Sequence, residues 1–135
     1  MKLFAADALP PEPTGPDHRT LAVANDADPR SLDLNGVARV DLHFPAFTDG
    51  RAFSQAFLLR RRLGFTGDIR ATGDVLVDQL QQMQRTGFTE AVLAPGQDLA
   101  HGVKLLSLFN DFYQGDAVSP RPLFARDATT ATEAT

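Results

Sequence analysis

The 135 residues suit one domain with one core, and at this length folding buries roughly two thirds of the surface the unfolded chain would expose. Hydrophobic residues make up 43% and charged residues 22%, and a net charge of −4 supplies no overall drive toward nucleic acid or an anionic membrane. The absence of cysteine excludes disulfides, thiolate metal sites, Cys-ligated iron–sulfur clusters and dithiol chemistry carried by this chain alone.

The opening Met1-Lys2-Leu3-Phe4-Ala5-Ala6 meets Asp7 and a Pro-rich run too soon for a secretory signal, and no stretch reaches the ~20 apolar residues of a membrane helix. A cytoplasmic protein is expected. Four prolines within residues 8–19 oppose a helix, so residues 1–19 are expected to form an extended arm. Leu21-Ala22-Val23-Ala24 then reads as a short strand. Asp28 caps a brief helical turn with Pro29 at its first position, and Asn35-Gly36 closes it.

Val37 to Phe44 alternates, with Ala38, Val40, Leu42 and Phe44 on one face and Val37, Arg39, Asp41 and His43 on the other. Such a pattern suits an edge strand, or a strand whose second face lines a wet crevice. The chain turns at Asp49-Gly50 and resumes with helical period, where Ala52, Phe53, Ala56, Leu59 and Leu63 form one stripe and Gly64 stands at the left-handed cap.

From there the sequence repeats. Residues 62–76 align with residues 85–99, matching at Arg, Gly, Phe, Thr, Ala, Gly and Leu, and the turn glycines extend backward as Gly50, Gly73 and Gly96. Each unit reads as helix, glycine cap, short strand, X-Gly turn, helix, which predicts parallel strands joined by right-handed crossovers. The second helix buries Leu76, Leu80 and Met83, and the third spans residues 97–113. Leu99, Val103, Leu106 and Tyr113 make one stripe on this helix, and Leu105, Leu108, Phe109 and Phe112 make a second. Either the segment Pro120-Arg121-Pro122-Leu123-Phe124 or another subunit, as in a homodimer through helix 97–113, is expected to cover that second stripe.

The fold class is therefore α/β. Residues 20–115 are expected to form one small parallel sheet of about four strand-helix units, half-barrel-like or open, with strands in sequential order or reshuffled as in flavodoxin. Residues 116–135 form an extended segment, disordered at its end.

In a parallel sheet the loops at the carboxyl ends of the strands share one rim, and ligands bind there. Thr48, Asp49, Gly50, Arg51, Gln55, Arg70, Asp74 and Gln79 are the site candidates. Free helix N–H groups with Arg51 and Arg70 would hold a small anion, and Asp49 would act as acid or base if the rim is catalytic. The competing explanation is architectural: Asp49 and Asp74 cap helices, and Arg51 is solvated. Arg70 interrupts an apolar strand and needs a partner, with Asp41, Asp49 and Asp74 in reach. His18, His43 and His101 lack metal-ligand spacing, and no nucleophile elbow, Walker loop or dinucleotide fingerprint occurs. Arg60-Arg61-Arg62 complements a helix C-terminus, with docking to an acidic partner as the alternative.

The segments Phe47-Thr48-Asp49-Gly50-Arg51-Ala52-Phe53-Ser54-Gln55-Ala56, Leu58-Leu59-Arg60, Gly67-Asp68-Ile69-Arg70-Ala71-Thr72-Gly73-Asp74-Val75-Leu76 and Asp78-Gln79-Leu80 together resemble a bacterial family classed as a domain of unknown function, the one numbered nine hundred thirty-four. The resemblance covers about residues 20–115. Members are often encoded beside assimilatory sulfite reductase and carry the label of a probable oxidoreductase involved in sulfite reduction. The resemblance implies a place in sulfur assimilation, whereas no residue pattern supplies a flavin, nicotinamide, siroheme or cluster site, and no cofactor is expected. The expected function is an auxiliary protein of sulfite reduction that binds a sulfite reductase subunit or a small anion at the rim. The alternatives are an enzyme acting there on an anionic sulfur or phosphate metabolite, and a homodimeric scaffold.

Overall fold

A computed structural model describes residues 1–9 and 18–110. Five parallel strands form one sheet: β1 (Lys2–Phe4), β2 (Arg19–Val23), β3 (Val37–Phe44), β4 (Asp68–Gly73) and β5 (Glu90–Val92), in the order β1-β5-β4-β3-β2. The four expected strands are neighbours in sequential order, and β1 adds a fifth at the far edge. Lys2–Phe4 fall within the expected arm, but Leu3 lies opposite Ala91 and Lys2 opposite Glu90, so long-range pairing makes a strand of three residues that carry no pattern of their own. Residues 10–17 of the expected arm, the segment 116–135 and the third helix beyond Asn110 lie outside the described residues.

Because successive strand residues face opposite sides, the register sorts the sheet into two surfaces. Leu3, Ala91, Ala71, Leu42 and Val23 form one cross-strand row. The helices pack on that face. Phe53 of α1 (Arg51–Phe57) meets Phe44 edge-on at 5.1 Å, Leu80 and Met83 of α2 (Leu80–Thr86) are buried in the same cluster, and Gly102 of α3 (Leu99–Asn110) approaches Leu3. Phe44, Phe53 and Phe88 pack mutually, with centroids 5.1–6.2 Å apart.

The adjacent row, on the other face, runs Lys2, Glu90, Arg70, Asp41, Ala22. β3 is thus an inner strand rather than an edge, and the polar half of its alternation belongs to a charged sheet surface.

Two local readings change. After α1 the helix widens into a π turn over Leu58–Arg62, with the Leu63 N–H donating to the Leu58 carbonyl. The extra residue per turn rotates the stripe, so Leu59 is fully buried while Leu63, expected in the core, is 38% exposed. Gly50 also departs from the proposed repeat: Gly73 and Gly96 are left-handed at φ +92° and +88°, but Gly50 has φ −89° and acts as the N-cap of α1. The cap glycines Gly64 and Gly87 do share a left-handed backbone.

Candidate functional site

The β3–α1 connection, residues 45–50, stands at the carboxyl rim and is tied to the next strand-helix unit through Phe47. Asp74, just beyond β4, accepts the Phe47 N–H at 2.8 Å, while Gln79 Nε2 donates to the Phe47 carbonyl at 2.6 Å. Asp74 therefore caps no helix; it holds a loop. The Asp74 N–H in turn donates to the Phe44 carbonyl at 2.8 Å. These bonds leave the Phe47 ring outside, 51% exposed.

Asp49 and Arg51 satisfy each other. The Asp49 carboxylate accepts from the Arg51 backbone N–H at 3.0 Å and from its guanidinium at 2.7–3.2 Å. Hydrogen bonding from the Arg51 side chain, and then from its backbone, lowers the Asp49 pKa to about 2. A carboxylate so stabilised is ionised throughout the neutral range and is poorly matched to acid–base work there. Thr48 and Gly50 complete the exposed turn.

Gln55 lies inside. Its Nε2 donates to the carbonyls of Ala24 and Ala27, both at 2.9 Å, and so ties α1 to the loop after β2. Asn25 in that loop donates to the His43 carbonyl at 3.0 Å. Gln55 acts as an architectural strut, a role that a polar residue on an apolar helix stripe signals only weakly in sequence.

Arg70 is not at the rim. It projects from the middle of β4 onto the charged face, 5% exposed, and its Nη2 donates to Asp41 Oδ2 at 2.9 Å. Of the three partners proposed for it, Asp41 is the one it meets, because the register sets those residues opposite each other. Arg39 also donates to Asp41, at 2.9 Å. Glu90 sits across from Arg70 on the other side, and burial, with the nearby Asp68, raises its pKa against the attraction of Arg39, Arg70 and Lys2. The sequence reading named Arg70 and Asp41 but missed Glu90, since nothing short of strand register joins residues so far apart in the chain.

Thr48, Asp49, Gly50, Arg51, Asp74 and Gln79 therefore gather around Phe47, Gln55 lies behind them, and Arg70 belongs to the other face. Among the described residues no group of three or more His, Cys, Asp or Glu side chains could hold a metal ion, and no helix is long and apolar enough to cross a membrane.

Residues 20–124 match the family model described as Bacterial protein of unknown function (DUF934). The chain belongs to that family. No curated protein and no solved structure matches it. The match spans β2 to α3 and so takes in both the Phe47 loop and the charged row from Asp41 to Glu90, while β1 precedes it.

Proposed function

We propose that the chain is an auxiliary protein of sulfite reduction that docks on a sulfite reductase subunit through the rim around Phe47. The observation that carries this reading is the exposed Phe47 ring on a backbone clamped at both its N–H and its carbonyl. An aromatic side chain presented on a fixed loop loses little freedom on binding, which is the property of interface anchors. The assignment to sulfite reduction rests on what the family resemblance implies. Docking is favoured over capture of a small anion because the Arg51 guanidinium already serves Asp49. It is favoured over catalysis because Asp49, the candidate acid or base, titrates near 2.

Sedimentation of the chain with assimilatory sulfite reductase should reveal a complex, and Phe47→Ala should weaken it at least tenfold without lowering the melting temperature. No complex with either subunit would end the reading. A second reading, self-association through α3, is favoured by Val103 and Leu108, which are 55% and 53% exposed.

A further inference from the structure

Away from Phe47, one place in the sheet combines a break in chain order with open space. Strands β2 to β5 are laid side by side in sequence, and β1 then lies beyond β5, so the order breaks between β1 and β5. In open parallel sheets the carboxyl ends at such a break diverge and form a crevice where ligands bind. A cavity of about 380 Å³ occupies this position, lined by Ala5, Ala6 and Asp7 where the chain leaves β1 and by Ala94, Gly96 and Gln97 where it leaves β5. That volume falls near the lower end of ligand pockets, ~300–1,000 Å³, and has room for a small metabolite.

The polar groups of the crevice are segregated by charge. Gln97 Oε1 accepts the Val77 N–H at 2.8 Å, which fixes the carboxamide and leaves Nε2 as a donor. The Gly96 N–H and the Asp7 carboxylate have no partner among the described residues. Gly96 is open to approach, since even a Cβ built there would meet no atom within 4 Å. Donors thus stand on the β5 side and a carboxylate stands on the β1 side, while the N-terminus of α3 is closed by its own cap, Asp98, whose carboxylate accepts the His101 N–H at 3.2 Å. The alanines between them offer a shallow apolar wall.

We propose that this crevice binds a free α-amino acid with a small side chain, its ammonium on Asp7 and its carboxylate on the Gly96 backbone N–H and the Gln97 Nε2. A lone anion would meet Asp7 unfavourably and a lone cation would leave the donors unused, so the zwitterion is the species that answers both walls.

The test is a ¹H–¹⁵N NMR titration of the full chain, without any partner protein, using L-alanine and L-serine, with acetate and ethylammonium as the separated halves of the ligand. The amino acids should shift the Gly96 amide and the Gln97 side-chain amide saturably, with at least tenfold higher affinity than either half. Asp7→Asn should weaken binding at least tenfold, and Ala6→Phe should fill the cavity and abolish it. Should Ala6→Phe fail to fold, the exposed Asp7→Asn decides alone. No saturable shift with either amino acid, or equal affinity in Asp7→Asn, overturns the proposal. Because no rim residue near Phe47 is involved, this result and the docking result can fail separately.

Discussion

Asp41 is the residue on which the charged face depends. Its two oxygens accept from Arg39 at 2.9 Å and from Arg70 at 2.9 and 3.2 Å, and both arginines are less than a tenth exposed. Removing the shared acceptor takes from two poorly solvated guanidinium groups the carboxylate they both meet, with Glu90 as the remaining nearby acid, so Asp41→Ala should destabilise the chain by about 3 kcal/mol in urea unfolding. A loss below about 1 kcal/mol would show that the pair behaves like an exposed ion pair instead. Glycine positions give a second contrast at this scale. At Gly73 an added Cβ would lie 2.3 Å from the Phe44 carbonyl oxygen, on a backbone already at φ +92°, whereas Gly50 has an ordinary φ and open space around it. Gly73→Ala should therefore cost about 2 kcal/mol or more, whereas Gly50→Ala should change stability by less than ~1 kcal/mol, because the entropy gained in the unfolded chain offsets the poorer N-cap. Equal losses at the two positions would restore the view that they are copies of one turn.

The run Arg60-Arg61-Arg62 is uniform in sequence and divided in structure, and the π turn makes the division. Arg60 is directed inward: its Nε donates to the Gly87 carbonyl at 3.0 Å, its Nη1 to the carbonyls of Phe65 at 2.9 Å and Gly67 at 2.7 Å, and its guanidinium lies over the Phe65 ring. It joins the end of the first helical segment to the loop that follows it and to the Gly87 cap that ends α2. Arg60→Ala should cost about 2 kcal/mol, and Arg62→Ala, at an exposed position, less than ~0.5 kcal/mol, both read from thermal or urea unfolding. The same element shows what a sequence can and cannot display. Gly64 and Gly87 as caps, Asp28 with Pro29 at the start of a turn, and the alternation of β3 were all legible because each is a local preference of backbone or side chain. The π turn, the short β1 and the separation of Gly50 from Gly73 were not, because each is settled by contacts with distant parts of the chain. The rim was legible in composition but not in use. Asp74 and Gln79 look like solvent-facing polar residues until the fold brings Phe47 between them.

At the scale of the whole molecule, a parallel sheet with its described helices on one face has used the inner stripes of α1, α2 and α3 to build its core. Leu106 of α3 reaches that core, and Leu99 and Leu105 pack against it, but Val103 and Leu108 remain more than half exposed. Spaced five residues apart, the two do not share one helix face, but a second copy packing across α3 would take both side chains out of water. If self-association uses this surface, light scattering at micromolar concentration should return the mass of a dimer, and Leu108→Asp should return that of a monomer. The substitution isolates the interface, because at an exposed helical position it should alter the stability of the folded chain by no more than ~0.5 kcal/mol. A monomeric wild-type chain would remove this surface from consideration. A dimer that survives Leu108→Asp would move the contact elsewhere, with the Phe47 rim as the next place to look, and there Phe47→Ala would have to break it.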